Sequence, residues 1–314
     1  MSSAAGEAEE WPDVRVVAVM GPTASGKTWS AVALARALDG ELVNADSRQA
    51  IAELSVGVCK PTPEDLQGVP CHGLDWGHLG RRFTVVDYVP MARTAVEAIA
   101  GRGRVAVVVG GTGLYLRSLL QGFDFGGLRP GPGCAVMATP ATSDDDLSAH
   151  PLAELRDLDP ERASTVDAKN PRRVARALEL ARRGARPGQL SPGWRSRKLA
   201  LRVDAGRLRA RIEARSERLV GDGLALEVES LLRHGYSAPV LAGCAIGYAE
   251  VLDWLSGRCQ RVEAVERVVL RTWRYARAQM TWLRSEVDLV WIDADASPDE
   301  VLGQCLAAVG EIAA

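Results

Sequence analysis

The sequence predicts an α/β protein: a P-loop-type parallel sheet covered by helices, with an inserted, mostly helical subdomain. Short apolar, β-branched runs alternate with helical patterns in the first third of the chain, which is typical of a parallel sheet buried on both faces. A phosphate-binding signature follows the first of these runs. A stretch rich in Gly and Pro after residue 123 then breaks the alternation. We therefore expect a catalytic core over 1–123 and 200–314, interrupted by an inserted domain over 124–199.

The individual elements follow from periodicity and composition. Apolar runs predict strands at 14–20, 41–45, 105–109, 199–203 and 289–292. Helical periodicity is found over 31–38, 83–99, 152–158 and 172–183. The part after residue 203 is expected to be mostly helical.

The bulk composition fits a globular protein. Of the 314 residues, 47% are hydrophobic and 25% are charged, and no apolar run approaches the roughly 18 residues that a membrane span needs. The six cysteines include no C-x-x-C pair, so neither a zinc site nor a disulfide framework is expected. The acidic first ten residues have no apolar core and are not expected to be a secretory signal. We expect a cytoplasmic protein that acts as a monomer, without a membrane partner.

Positive charge is concentrated in one part of the chain. Between residues 170 and 218 there are fifteen Lys or Arg and four Asp or Glu, although the net charge of the whole chain is −2. Such a region suggests a face that binds a polyanion. A solvated helix surface with salt bridges explains the same pattern equally well.

The segment Gly21–Thr28 matches G-x-x-x-x-G-K-[ST] in full and lies between a predicted strand and a predicted helix. Its glycines allow successive backbone N–H groups to point at phosphate oxygens, and the helix N-terminus adds its positive dipole end. The amine of Lys27 supplies a point charge, and the hydroxyl of Thr28 can ligate Mg²⁺. The residues expected to bind a diphosphate are Gly21, Thr23, Ala24, Ser25, Gly26, Lys27 and Thr28.

The carboxylate that should face this loop follows the second strand, not the third. The third strand ends in Gly110-Gly111-Thr112-Gly113, whereas Asp46 follows the second. Ligands bind at the carboxyl ends of such strands, so Asp46 and Thr112 should both face the phosphate loop. A carboxylate there suits the acceptance of a proton from a substrate nucleophile. The alternative is that Asp46 only caps a helix.

Several segments together resemble tRNA dimethylallyltransferases, also called tRNA isopentenyltransferases. They occur in that family's order and cover nearly the whole chain: Gly21–Thr28, Asp46-Ser47-Arg48-Gln49, Lys60-Pro61-Thr62-Pro63, Gly110-Gly-Thr-Gly-Leu-Tyr-Leu116, Arg173-Val-Ala-Arg176-Ala-Leu-Glu179, Arg211-Ile-Glu-Ala-Arg215, Ile246-Gly-Tyr248 and Gln279-Met-Thr-Trp-Leu-Arg284. The resemblance implies transfer of a dimethylallyl group from dimethylallyl diphosphate to N6 of the adenosine next to the tRNA anticodon (adenosine-37).

The resemblance also implies residue roles. Asp46 would be the general base on the adenine amino group, and Thr112 would lie beside the reacting centre. Gln49 and Ser47 would help to hold the adenine. Thr23, with Lys27 and Thr28, would hold the diphosphate together with Mg²⁺, and Arg215 would contact the leaving diphosphate. The implied contacts to the tRNA anticodon stem-loop are Asp46, Ser47, Arg48, Gln49, Thr112, Arg172, Arg173 and Arg176.

A second basic pattern lies near the C-terminus. Arg267, Arg271, Arg274 and Arg277 fall four, three and three residues apart on a predicted helix, so they share roughly one face. With the family resemblance, we expect Arg271, Arg274 and Arg277 to contact tRNA phosphates. A solvated helix face is the alternative.

Three features differ from the family's usual pattern. Ile51 and Cys71 stand where the family usually has Tyr and His, and the helix that opens the inserted domain is not recognisable in 126–148. His72 and His78 are expected to be structural. Three other functions share the phosphate loop or the basic face: prenyl transfer to a free adenine nucleotide, a small-molecule kinase, and a tRNA-binding protein without catalysis.

Overall fold

The computed structural model describes residues 15–124, 150–182, 184, 188–189 and 193–313. Its strands are β1 (Arg15–Met20), β2 (Glu41–Asn44), β3 (Cys71–His72), β4 (Ala106–Gly110), β5 (Phe123–Asp124), β6 (Gly188–Gln189), β7 (Arg195–Arg202) and β8 (Leu289–Asp293). A six-stranded sheet has the order β3-β2-β4-β1-β7-β8, and all its neighbouring strands are parallel. The predicted parallel α/β fold is therefore confirmed.

The helices lie on both sides of this sheet. They are α1 (Lys27–Ala37), α2 (Pro63–Leu66), α3 (Val85–Ala100), α4 (Gly113–Leu120), α5 (His150–Leu158), α6 (Pro160–Thr165), α7 (Pro171–Arg182), α8 (Ala205–Asp222), α9 (Leu224–Arg233), α10 (Ala238–Ala242), α11 (Tyr248–Leu255), α12 (Arg261–Arg284) and α13 (Pro298–Ala313). Within the described ranges, no helix is both long enough and apolar enough to cross a membrane.

Strand β1 shows how the sequence produces two cores. Alternate side chains of a strand point to opposite faces. Val16 packs with residues of α3 and α4, and Val17 packs with residues of α1 and α13. Five of the six β1 residues are buried, which matches the continuous apolar run in the sequence.

The order of the strands positions the functional loops. Strand β4 lies between β1 and β2, so the carboxyl ends of the three strands meet at one edge of the sheet. A side chain at Gly110 could not fit there, because its Cβ would lie 2.3 Å from the carbonyl carbon of Ala45. Ala45 accepts a hydrogen bond from Thr112 N at 3.2 Å, which holds the two strand ends together.

Two predicted boundaries were wrong by four residues. Helix α1 begins at Lys27 rather than at 31, because the left-handed Gly26 (φ 90°) starts it inside the phosphate loop. Strand β7 begins at Arg195 rather than at 199, so 195–199 belongs to the main sheet. Its first residues are charged and only partly buried, which is why an apolar pattern did not reveal them.

The remainder of the segment 124–199 is mostly helical where it is described. Helices α5, α6 and α7 enclose a small core that contains Leu155, Ala177 and Leu178. The short antiparallel pair β5–β6 joins the two ends of the segment. The stretch 126–148 lies outside the described residues, and the division into a core and an inserted domain stays a prediction.

A buried ion cluster stabilises the amino-terminal end of β2. Glu41 is 3% exposed and accepts hydrogen bonds from Arg102 Nε at 2.9 Å and from Arg104 Nη1 at 3.1 Å. His72 Nε2 lies 2.7 Å from the same carboxylate, so the expectation that His72 is structural fits this contact. Burial alone would raise the pKa of Glu41, but these hydrogen bonds outweigh it and lower the pKa to about 2.

We expect Glu41→Gln to reduce the free energy of unfolding by about 2 kcal/mol at pH 7, because it leaves two arginines without their carboxylate. Since the folded pKa lies below the unfolded one, this contribution is present above about pH 4.5 and is lost as the pH falls towards 2. Urea unfolding of both proteins at pH 7 and pH 3 checks this. The exposed Glu229→Gln serves as the control. If the free energies of unfolding of wild type and Glu41→Gln differed by the same amount at both pH values, this prediction would be contradicted.

Candidate active site

The phosphate loop adopts the conformation that its sequence requires. Ala24 (φ 63°) and Gly26 (φ 90°) have left-handed backbone, which turns the chain sharply before α1. A Cβ at Gly21 would lie 2.7 Å from Ser25 Oγ, so the start of the loop has no room for a larger residue. The successive N–H groups at the beginning of α1 thus form an anion-binding concavity.

Charged side chains near Lys27 shift its pKa in opposite directions. Its Nζ donates to the carbonyl of Pro22 at 2.7 Å within the loop. Burial lowers the pKa of Lys27 to about 8; the carboxylate of Asp46 opposes this shift and the guanidinium of Arg215 adds to it. The predicted loop cation, the predicted base and the predicted arginine are therefore close enough to influence one another.

Asp46 is held firmly at the end of β2. Its Oδ1 accepts hydrogen bonds from Arg48 N at 2.9 Å and Gln49 N at 3.4 Å, so it caps a turn rather than a helix. The side chain of the buried Asn44 holds the backbone of Asp46 in place. Asn44 Oδ1 accepts a hydrogen bond from Asp46 N at 3.1 Å, and Asn44 Nδ2 donates one to Asp46 O at 3.1 Å. The alternative, that Asp46 only caps a helix, was therefore wrong: Asp46 caps a turn, and it lines the same cavity as Lys27.

Thr112 connects the β4 loop to this turn. Its Oγ1 accepts a hydrogen bond from Ser47 N at 3.0 Å and lies 3.4 Å from Ser47 Oγ. The predicted proximity of Thr112 and Asp46 is therefore present in the structure.

Gln279 is a buried side chain to which sequence reasoning gave no role. Its Oε1 accepts a hydrogen bond from Thr23 N at 2.8 Å, and its Nε2 donates to Gly111 O at 3.0 Å. It belongs to the buried face of α12, with Ala276 and Leu283. A glutamine in register with buried apolar residues was the available signal.

The segment 55–60 separates the phosphate loop from helices α8 and α9. The Glu227 carboxylate accepts hydrogen bonds from the backbone N–H groups of Ser55, Val56 and Gly57 at 3.0, 2.6 and 3.3 Å. Tyr248 donates its hydroxyl to the same carboxylate. A Cβ at Gly57 would lie 2.4 Å from the Tyr248 ring, so the segment approaches α11 as closely as a glycine permits.

Arg215, on α8, reaches this segment. Its Nε donates to Cys59 Sγ at 3.1 Å. Cys59 has left-handed backbone (φ 47°), and its carbonyl accepts a hydrogen bond from Gln49 Nε2 at 3.0 Å. The guanidinium of Arg215 is thereby brought to the phosphate loop from a distant part of the chain.

Two cavities meet at these residues. The loop cavity has a volume of about 450 Å³ and contains Lys27, Thr28 and Gln49 in its lining. The helix cavity has a volume of about 430 Å³ and is lined by Arg48, Ser47, Arg271 and Tyr275, among others. The residues that line both cavities are Thr23, Asp46, Val58, Cys59 and Arg215.

The arginines on α12 have different surroundings. Arg271 lines the helix cavity but is paired with the buried carboxylate of Glu250, which is 5% exposed. Arg274 and Arg277 are exposed, and neither forms an ion pair within the described part of the chain. The role of these arginines in binding tRNA stays a prediction.

Arg173 and Arg176, on α7, line neither cavity. Arg173 lies 3.3 Å from Asp167, and Arg176 is paired with Glu179. The side chain of Arg172 lies outside the described residues. Their predicted contact with tRNA is not tested by this arrangement.

The family model described as "IPP transferase" matches residues 49–286, and a second one, described as "Isopentenyl transferase", matches residues 14–79. The chain belongs to the IPP transferase family. It is 38% identical over 297 residues to a tRNA dimethylallyltransferase of Corynebacterium jeikeium, with 92% of this chain and 94% of that protein covered. It is 40% identical over 294 residues to a tRNA dimethylallyltransferase of Anaeromyxobacter, with 90% and 96% covered.

Two solved structures share this fold. The tRNA isopentenylpyrophosphate transferase of Bacillus halodurans is 30% identical, with a TM-score of 0.69 and 95% of this chain and 97% of that chain covered. A eukaryotic dimethylallyltransferase, described as acting on tRNA, shares the fold at 23% identity, with a TM-score of 0.71 and 89% and 74% covered.

The lowered pKa of Lys27 predicts that a diphosphate binds with uptake of a proton. Free Lys27 loses its charge above about pH 8, and a bound diphosphate favours the charged form. The affinity for dimethylallyl diphosphate should therefore fall about tenfold per pH unit above pH 8. Titration calorimetry from pH 7 to 9.5, in buffers with different ionisation enthalpies, measures both the affinity and the number of protons taken up on binding. Lys27→Arg stays charged and should show neither effect; a wild-type affinity independent of pH would contradict the assignment.

Proposed function

We propose that this member of the IPP transferase family transfers the dimethylallyl group of dimethylallyl diphosphate to N6 of the adenosine next to the tRNA anticodon (adenosine-37), with N6-isopentenyladenosine and diphosphate as products. The observation that carries this proposal is that the two cavities meet at Thr23, Asp46 and Arg215. One cavity holds an anion-binding loop, and the other is lined by a helix with exposed arginines. The relatives that bear the name tRNA dimethylallyltransferase cover nearly the whole chain and support the same reaction.

The loop cavity suits the donor. Its phosphate loop offers backbone N–H groups, and Lys27 gains its full charge as the diphosphate enters. Apolar side chains, among them Leu42, Val58 and Val109, also line this cavity and suit a hydrocarbon tail. One bound molecule can thus place its phosphates on the loop and its allylic carbon near Asp46.

Magnesium fits the same cavity. Thr28 and Glu64 lie in its lining, and Mg²⁺ prefers oxygen ligands such as their hydroxyl and carboxylate groups. Among the described residues there is no cluster of three or more His, Cys, Asp or Glu that could hold a metal alone. Thr28 would therefore hold Mg²⁺ together with water and substrate phosphates, and the ion would neutralise charge on the diphosphate.

The helix cavity suits the acceptor base. The adenine must leave its stack to reach an enclosed group. Ser47, Arg48 and Thr112 line this cavity beside Asp46, as expected for residues that hold the base. Gln49 instead lines the loop cavity, where its Nε2 donates to the carbonyls of Val58 and Cys59.

The chemistry then follows from the charges. The N6 nitrogen attacks the allylic carbon, the carbon–oxygen bond breaks, and its electron pair leaves with the diphosphate. The carboxylate of Asp46 accepts the proton that N6 loses. Lys27 and Arg215 meet the negative charge that develops on the leaving group. No covalent bond to the protein is needed.

The partners that we infer are the tRNA anticodon stem-loop and dimethylallyl diphosphate. The exposed Arg274 and Arg277 suit RNA phosphates, as does the basic helix α7 with Arg172, Arg173 and Arg176. The inserted domain would then contact the stem-loop. A monomer in the cytoplasm remains our expectation.

Mass spectrometry of tRNA after incubation with the protein and dimethylallyl diphosphate tests the reaction. We expect a gain of one dimethylallyl group on one adenosine of the anticodon loop. AMP as acceptor and ATP as donor are the comparison reactions. Prenylated AMP without modified tRNA would support the free-nucleotide reaction, and phosphorylated product with ATP would support a kinase; either would overturn the proposal.

Asp46→Asn should keep the fold, because the amide oxygen can still accept the N–H groups of Arg48 and Gln49. The rate at saturating substrates should fall roughly a hundred- to ten-thousandfold, since the proton acceptor is lost. Asp204→Asn is a matched control: it caps α8 with the same chemistry and lines neither cavity. Single-turnover rates and the donor Kd measure the effect. A near-normal rate in Asp46→Asn would show that Asp46 is not the base.

Arg274→Ala with Arg277→Ala should flatten the dependence of stem-loop affinity on salt, by about 1–2 in the slope of log K against log salt concentration. Donor affinity should not change. Arg271→Ala should instead lower the thermal unfolding temperature, because it leaves the buried Glu250 unpaired. The control for the loss of two positive charges is the double variant Arg36→Ala with Arg233→Ala, which changes two exposed arginines outside α12. An unchanged slope in the double variant would remove α12 from the RNA-binding face.

A further inference from the structure

Gln279 joins the two loops that frame the reacting centre. It is 6% exposed, and both ends of its amide are used: the oxygen accepts from Thr23 N at 2.8 Å and the nitrogen donates to Gly111 O at 3.0 Å. The partners fix the orientation of the amide, since an N–H needs an acceptor and a C=O needs a donor. The fit is tight, because a Cβ at Gly111 would lie 2.2 Å from the Gln279 nitrogen.

The same helix faces the other cavity one turn earlier. Tyr275 lines the helix cavity, and its side chain is 41% exposed. Tyr275 and Gln279 are four residues apart on α12, so their side chains are neighbours on one face of the helix. An exposed aromatic ring at the mouth of a base-binding cavity is a platform for stacking.

We propose that Gln279 is a positioning residue that couples binding of the acceptor base, on the ring of Tyr275, to the geometry of the phosphate loop at Thr23. This inference rests on the proposed function. It follows from the position of Tyr275 one turn before Gln279 on α12, and from the hydrogen bonds of Gln279 to Thr23 N and Gly111 O.

The path has a physical consequence. A base stacked on Tyr275 restricts the ring, and the restricted ring holds the Gln279 amide in the orientation that both of its backbone partners require. Thr23 lines both cavities, so its backbone position affects the donor directly. Thr112, next to Gly111, contacts the turn of Asp46 through Ser47. Acceptor and donor should therefore each bind more tightly when the other is present, by the same factor.

Three variants separate this role from a purely structural one. Gln279→Met keeps the length of the side chain and removes both hydrogen bonds. Gln279→Glu keeps an acceptor for Thr23 N, but it can donate to Gly111 O only when it is protonated. Tyr275→Ala removes the ring. Thr281→Val is the control, since Thr281 is exposed on the same helix and its hydroxyl donates to Arg277 O within that helix.

The coupling is measured as the ratio of donor Kd values without and with a saturating stem-loop. The stem-loop carries purine riboside at the target position, which lacks the reacting amine and cannot be prenylated. We expect a ratio of about five or more in wild type and in Thr281→Val, a ratio near one in Gln279→Met, and a reduced ratio in Tyr275→Ala. The rate at saturation should fall at least tenfold in Gln279→Met, with the donor Kd alone changed by less than about threefold.

The glutamate variant gives a second measurement that does not depend on Gln279→Met folding well. Its turnover relative to wild type should rise as the pH falls from 8 to 6, because the protonated carboxyl restores the donor to Gly111 O. A ratio near one in wild type, an unchanged ratio in Gln279→Met, or a relative turnover of Gln279→Glu that is independent of pH would overturn the inference. Absence of tRNA prenylation by wild type would instead overturn the proposed function, whatever the coupling.

Discussion

The position of β4 between β1 and β2 determines where every group of the candidate site lies. The three strands are parallel and end at one edge, so the phosphate loop, Asp46 and Thr112 emerge side by side. Gly110 permits this, because any side chain there would collide with Ala45. The distant elements α8 and α12 then add Arg215 and Gln279 to a frame that the sheet has already set.

The site brings two cations, Lys27 and Arg215, close to the carboxylate of Asp46. Burial and Arg215 make the charge of Lys27 less favourable, while Asp46 makes it more favourable. The proposed donor would reverse the balance by bringing several negative charges to the loop. In the proposed function, the cost of placing two cations near each other is thus offset by the diphosphate.

The sequence was sufficient for the parts of the site that follow a local rule. The phosphate loop has a fixed spacing, and strand ends in a parallel sheet converge, so Lys27, Asp46 and Thr112 could be placed together in advance. Long-range partners could not be: Gln279 contacts Thr23 across 256 positions, and no local pattern encodes that pair. For the same reason the stripe on α12 did not reveal that Arg271 is paired with Glu250, nor did the motif around Asp46 reveal that Gln49 turns towards the loop cavity.

Glu227 lines neither cavity, but it holds the segment that lines both of them. Its carboxylate fastens three consecutive backbone N–H groups of the segment that carries Val58 and Cys59. The segment between the two cavities is thus held in place by a carboxylate on α9. A substitution of Glu227 would therefore alter the width of the passage between the cavities without changing any residue that lines them. A survey of substitutions that is confined to cavity-lining residues would therefore miss the effect of Glu227.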